Sequence, residues 1–187
     1  KEINNFLKKE DFDKATKTDH LSAITSNNNT IQNESALASQ TEIESYLRGK
    51  YDLTKLFPVY LNHDSGVAHA HDTIVFDATG LKWYQADATD DTTIPSGVAL
   101  TDSQWVEIAD PRDQLIVEFM LDLTLYRLHA RVAPNQIPEH RIQRRDDAIT
   151  FLSKVAKYQL TVGWDQETDV EPASINWGSN EKDQKHY

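Results

Sequence analysis

The chain contains no cysteine among its 187 residues. That excludes disulfides, thiolate metal sites and a cysteine nucleophile, and it suits folding in a reducing cytoplasm. No stretch approaches the roughly 18 consecutive apolar residues that a membrane helix needs, and the N-terminus lacks the basic-then-apolar build of a signal peptide. No membrane partner is expected. Numbering opens at Lys1 without an initiator methionine, so further residues are expected ahead of it. Positive charge is scarce: 19 Lys and Arg face 30 Asp and Glu, a net of −11. A surface of that sign repels phosphates and cannot supply the counterion release behind most nucleic-acid affinity, so tight DNA binding is disfavoured. Gly-rich phosphate loops, a nucleophile elbow and a zincin signature are all missing, and the chain is expected not to be an enzyme. It has no internal repeat of helical-hairpin length and no heptad run.

What is present supports a folded chain. Hydrophobic residues make up 39% and charged residues 26%, ordinary values for a soluble core. Phe6-Leu7 with Phe12, then Asp19 as N-cap before His20-Leu21-Ser22-Ala23-Ile24, mark two short helices. The polar run Ser26 to Asn29 leads to Thr30 as N-cap of a longer helix from about Ile31 to Gly49. Its apolar stripe is Ala36, Ile43 and Leu47, with Tyr46 and Tyr51 nearby. Asp110-Pro111 opens the most apolar segment, Leu115 to Leu128, read as a central helix ending near Arg131. Apolar almost all round, it should be covered on several sides by other helices. A last helix starts at Pro138-Glu139, turns Ile142, Ala148, Ile149, Leu152 and Val155 inward, and ends near Lys157.

Between these helices, residues 58–109 change texture. Val59-Tyr60-Leu61, Thr73 to Phe76, Leu81 to Tyr84 and Trp105 to Ile108 are short β-like runs separated by Gly, Asp and Pro turns, with Ala78-Thr79-Gly80 suited to a hairpin. The fold class read from these patterns is mainly α: a compact bundle of about three to four main helices interrupted by a small antiparallel β-rich insertion. Its domain scheme is a helical core of 1–57 and 110–163, an insertion of 58–109 and an extended tail of 164–187.

Two separated blocks resemble the head-to-tail connector (adaptor, head-completion) proteins of tailed bacteriophages, of Mu-like prophage and long-tailed phage type. One is Thr41 to Asp52, containing Ile43-Glu44-Ser45-Tyr46-Leu47. The other is Arg112 to Lys157, containing Asp122 to Arg131, Pro138-Glu139 and Arg144 to Ala156. With Phe6-Leu7 and Glu10-Asp11-Phe12 they cover a little over half of the chain. The 58–109 segment departs from the family's shorter linker, and nothing carries over to it. The resemblance implies a structural virion protein of the neck, assembled in the host bacterial cytoplasm as a ring of about twelve subunits beneath the portal protein. It also implies contacts with further tail or connector proteins, a bore through which double-stranded DNA passes without specific binding, and a C-terminal tail that touches the portal.

Candidate site residues follow from both readings. Trp164, Trp177 and Tyr187 are large groups in a polar tail, as in a segment that orders on a partner such as the portal. Arg127, Arg131, Arg141 and Arg145 sit at helical spacing beside acids and are candidates for a subunit interface. Trp83, Tyr84 and Trp105 are candidate insertion aromatics. As core they would simply hold the insertion together. As an exposed platform they would make the chain a carbohydrate-binding or adhesion module, the alternative function. His63-Asp64 with His69 and His71-Asp72 offers metal-type ligands without a partner motif later in the chain. The pairs Asp90-Asp91 and Asp146-Asp147 point to different sides and read as solvated surface. No metal and no cofactor is assigned.

Overall fold

The apolar run from Leu115 onward forms the helix Gln114–Val132. Ile116, Val117, Met120, Leu123, Leu125 and Leu128 are buried. No single stripe could hide them all, and the helix is covered from several directions. Each such side chain contributes roughly 1.5–3 kcal/mol when removed from water. The helix starts later than Asp110-Pro111 implies. Asp113 is its N-cap, with Oδ1 accepting from the Ile116 N–H at 3.0 Å, because the Asp110 carboxylate is engaged by Arg112.

A computed structural model describes residues 6–26, 28–87 and 93–167 of the chain. In order, its elements are α1 (Lys9–Ala15), α2 (Thr18–Thr25), α3 (Asn29–Leu47), α4 (Leu53–Leu56), β1 (Leu61–Asn62), β2 (Ile74–Asp77), β3 (Lys82–Ala86), β4 (Trp105–Ile108), α5 (Gln114–Val132) and α6 (Glu139–Ala156). Helix α5 packs on α3 and α6, and the short α1 and α2 close over it as well. Ala36, Ile43 and Leu47 of α3 and Ala148, Leu152 and Val155 of α6 are the buried stripes, as their spacing implies. Two details differ. Asn28, not Thr30, caps α3, its Oδ1 accepting from the Thr30 N–H, and Ile142 of α6 lies outside the core, 39% exposed.

The mainly α reading is corrected. Helices take 48% and strands 12% of the described residues, six helices accompany a four-stranded sheet, and the fold is mixed. The sheet has the order β1-β2-β3-β4. β2–β3 and β3–β4 are antiparallel, with Phe76 opposite Trp83 and Trp83 opposite Ile108. β1 runs parallel to β2, so the sheet is not the antiparallel unit that the short strand runs suggest. The physical reason is the connection 63–73. His69 pairs with Ile94, which folds that stretch back over the sheet and returns the chain to the start of β2 in the direction of β1.

The two faces of the sheet have different neighbours. Val75, Ala86 and Trp105 form a small core with Ile94, against which Tyr84, Val98 and Leu100 pack. The opposite face carries Phe76 and Trp83, which lie under the cations Lys8 and Arg112 at the entrance to α5. A sequence pattern shows that a strand has an apolar face, but not which part of the chain will cover it.

Candidate functional site

Arg112 lies between the end of the sheet and the start of α5, with its side chain 1% exposed. Nη1 donates to the Phe6 carbonyl at 2.8 Å and to Asp11 Oδ2 at 2.7 Å. Nη2 donates to Asp11 Oδ1 at 3.0 Å and Asp110 Oδ2 at 2.6 Å, and Nε to Asp110 Oδ1 at 2.9 Å. The planar fork of a guanidinium is the side chain that can bridge two carboxylates in this way. Its carbon stands 4.9 Å from the centre of the Trp83 ring, so one residue joins α1, the sheet and α5.

Burial by itself would lower the Arg112 pKa, but its bonds to Asp110 and Asp11 outweigh this and raise it. Burial also pushes Asp110 upward, and the hydrogen bonds from Arg112 reverse that, so its carboxyl titrates below the ordinary range. Glu10 is different. Burial pushes its carboxyl up, and the attraction of Lys14 and Arg112 does not cancel this. Glu10, Asp11 and Asp110 place one carboxylate oxygen each within 4.8 Å of one another, the spacing of a cation site. The group that fills that space is the Arg112 guanidinium.

The second node is the root of the C-terminal segment. Trp164 stands edge-on to the buried Tyr51, ring centres 5.4 Å apart. Its Nε1 donates to Asp113 Oδ2 at 2.9 Å, the same carboxylate that caps α5. Asp52 N–H donates to the Asp165 carbonyl at 3.0 Å and Glu167 N–H to the Lys50 carbonyl at 3.2 Å, around an antiparallel bridge between Tyr51 and Gln166. Lys55 adds an exposed ion pair with Asp165 at 3.2 Å. Residues 164–167 therefore lie beside residues 50–52, just after α3, held by a single antiparallel bridge. Trp164 is a structural anchor in its own chain, while Trp177 and Tyr187 lie outside the described residues.

The arginines proposed for an interface are distributed unevenly. Arg127 pairs with Glu42 across α5 and α3. Arg141 is buried, 3.8 Å from Asp122, and donates to the Ala15 carbonyl. Arg145 is 2.8 Å from Asp146 and lies over the Tyr126 ring. Arg131 is exposed. Sequence reasoning missed Asp122, which is buried and takes Arg144 at 3.4 Å as well as Arg141. Burial raises its pKa against the pull of Arg144 and Arg141. Arg112 also went unrecognised as a hub; its one local sign is the acids Asp110 and Asp113 on either side.

The aromatic platform is not formed. Trp83 is 3% and Trp105 6% exposed, so neither can offer a ring face to a sugar. Within the histidine cluster, His63 and His69 stack at 5.6 Å and both stand edge-on to Trp105. His69 Nε2 is 3.1 Å from the Asp64 carbonyl and His71 Nδ1 is 3.1 Å from the Asp87 carbonyl. Each of these nitrogens must carry its proton to make that contact, which removes it as a metal ligand. Asp146 and Asp147 are exposed, and Asp90-Asp91 lies outside the described residues.

Asp110, α5, α6 and the C-terminal root, which carry part of both nodes, lie in a stretch with a family match. Residues 110–177 match the family described as Bacteriophage Mu, Gp36. The match supports a bacteriophage-associated structural protein, in line with the family resemblance of the Arg112 to Lys157 block. No curated protein and no solved structure gives a match. The Gp36-like stretch begins at Asp110, a partner of Arg112, and runs past Trp164, so it includes the hub, the central helix and the anchored root.

Proposed function

We propose that the chain is a non-catalytic subunit of the neck of a tailed bacteriophage, a head-to-tail connector that forms a ring below the portal protein. The ring joins the capsid to the tail and surrounds the channel through which double-stranded DNA leaves. Its partners are copies of itself, the portal and further tail or connector proteins. It assembles in the bacterial cytoplasm and ends in the virion. The observation that carries this reading is the Gp36-like match over 110–177, joined to the anchored C-terminal root. The chain is tied down at Trp164 to Glu167, and the sequence beyond carries Trp177 and Tyr187, the aromatic groups assigned to the portal contact. The net charge of −11 favours a wall that does not grip the phosphates of moving DNA.

The test is electron microscopy of the full chain mixed with its portal, together with mass spectrometry of purified virions. A ring density below the portal and the chain's presence in virions are the expected results. Virions that lack the chain would refute the reading. A shortened chain ending at Glu167 keeps the root and is expected to remain folded while losing portal attachment. Full attachment by that chain would remove the role assigned to the segment beyond it.

A further inference from the structure

Two unlike sets of contacts hold the connection 63–73 over the sheet. Along the backbone, His69 exchanges both hydrogen bonds with Ile94, at 2.9 and 2.8 Å, and the Gly97 N–H donates to the Ser65 carbonyl at 2.6 Å. Between side chains, the rings of His63 and His69 stack with centres 5.6 Å apart and planes 22° from parallel. Both stand edge-on to Trp105, at 5.5 and 5.2 Å. His69 and Trp105 are buried. The histidine pair lines an open cleft with Leu61, Ser65 and Val67, and a proton can reach it from there.

His63 is the sensitive member of the pair. Its Nε2 is buried and has no hydrogen-bond partner among the described residues. A neutral ring tolerates this, because it can carry its proton on the other nitrogen and leave a bare lone pair at Nε2. A protonated ring puts an N–H at that point with nothing to receive it, and a full charge beside a second imidazole. Burial, and then His69, accordingly lower the His63 pKa against the pull of Asp77 on β2 and Asp64 in the connection. Other charges nearby are engaged elsewhere. Lys82, opposite Asp77 in the register, pairs with Glu107 at 2.7 Å, and Lys8 lies over Phe76 and Trp83 on the other face of the sheet. His71 responds in the opposite sense. Its Nδ1 donates to the Asp87 carbonyl, and its Nε2 is 3.4 Å from an Asp72 carboxylate oxygen, a contact that protonation strengthens. Asp72 itself holds the left-handed backbone (φ 61°) by which the connection turns into β2.

We propose that the His63–His69 pair is a proton-operated latch: with both rings neutral it keeps residues 63–70 closed over Trp105, and protonation of His63 releases them. The segment then lifts from residues 94–97 and turns about His71 and Asp72, which acid holds in place. The sign follows from linkage. A histidine whose closed-state pKa lies below the free value of about 6.5 leaves closure intact above that value, and closure weakens as pH falls toward the closed-state pKa. One unit below the free value a released imidazole is protonated about ten to one, which bounds the opening that one histidine can drive at pH 5.5. The latch lies outside the family-matched stretch 110–177 and is independent of the connector reading.

Hydrogen exchange of the full chain, read by mass spectrometry at pH 7.5 and pH 5.5 with labelling times scaled to the intrinsic rate, tests the latch. Peptides covering 63–70 and 94–97 are expected to lose protection by about threefold to tenfold at pH 5.5, and peptides of α5 and α6 by a smaller factor. His63→Phe keeps a ring in the stack and removes the titration, so its 63–70 peptide should be equally protected at both pH values. His63→Gln is a second variant that does not titrate, for use if phenylalanine disturbs the stack. Equal protection of 63–70 at the two pH values in the unaltered chain would overturn the latch, and that comparison decides alone if neither variant folds. A loss that persists in a folded variant without His63 would overturn it too. So would a loss shared equally by α5 and α6, which is general acid unfolding.

Discussion

At the scale of single residues, Arg112 is the side chain on which the junction depends. Replacing it with Met leaves the buried Asp11 and Glu10 and the half-buried Asp110 without their cation and is expected to destabilise the fold by about 3–5 kcal/mol, read from urea midpoints. Arg112→Lys should recover little of this, because an ammonium cannot bridge two carboxylates in one plane. His129 provides a pH signature. Burial lowers its pKa first, and the positive Arg141, then His140 and His20, lower it further. A base whose folded pKa lies below its unfolded value of about 6.5 leaves stability intact above that value and loses it as pH falls toward the folded one. The urea midpoint should therefore fall between pH 7 and pH 5, and His129→Gln should flatten that slope. An unchanged slope would contradict the assignment. Glu10 and Asp122 work with the opposite sign, since their raised pKa values favour the folded state as pH falls. For this reason the difference between the two proteins is the quantity to measure. Of the partners of Arg112 only Asp110 is local; Phe6 and Asp11, about a hundred residues away, are brought to it by folding.

At the scale of elements, the helices follow from local pattern and the sheet only partly does. The spacing of Ala36, Ile43 and Leu47, and of Ala148, Leu152 and Val155, identifies the buried sides of α3 and α6, because a 3.6-residue period is set within one element. Strand existence was legible too, and β4 falls on Trp105–Ile108 as the residue types imply. The parallel pairing of β1 was not, since it depends on a loop held by a distant backbone pair at His69 and Ile94. The root at Trp164–Glu167 makes the same point. Its polar sequence reads as tail, yet it is tied to Lys50, Tyr51 and Asp52. Trp164→Ala should release it, lowering stability by about 2 kcal/mol, less than the loss for a fully buried tryptophan. Limited proteolysis near residue 165 should become faster. Equal cleavage rates in the two proteins would show that the root is held without the indole.

At the scale of the whole molecule, the acidic balance and the absence of cysteine narrow the possible partners before any fold is known. Composition by itself hides how the charges pair, because a net of −11 says nothing of which acid meets which base. Joining the sheet to one end of α5 through Arg112, and turning α6 back so that Arg141 and Arg144 meet Asp122, decide how the charges pair. The sequence by itself determined the main helices, the strand-forming runs, the acidic balance and the resemblance to phage connector proteins. All of these depend on residue type and on neighbours a few positions away. Only the tertiary structure decided that the fold is mixed, that Trp83 and Trp105 are internal, and that three carboxylates converge on Arg112. Each of those depends on which distant segment covers a face, and covering is a matter of shape and burial between parts of the chain that local pattern does not connect.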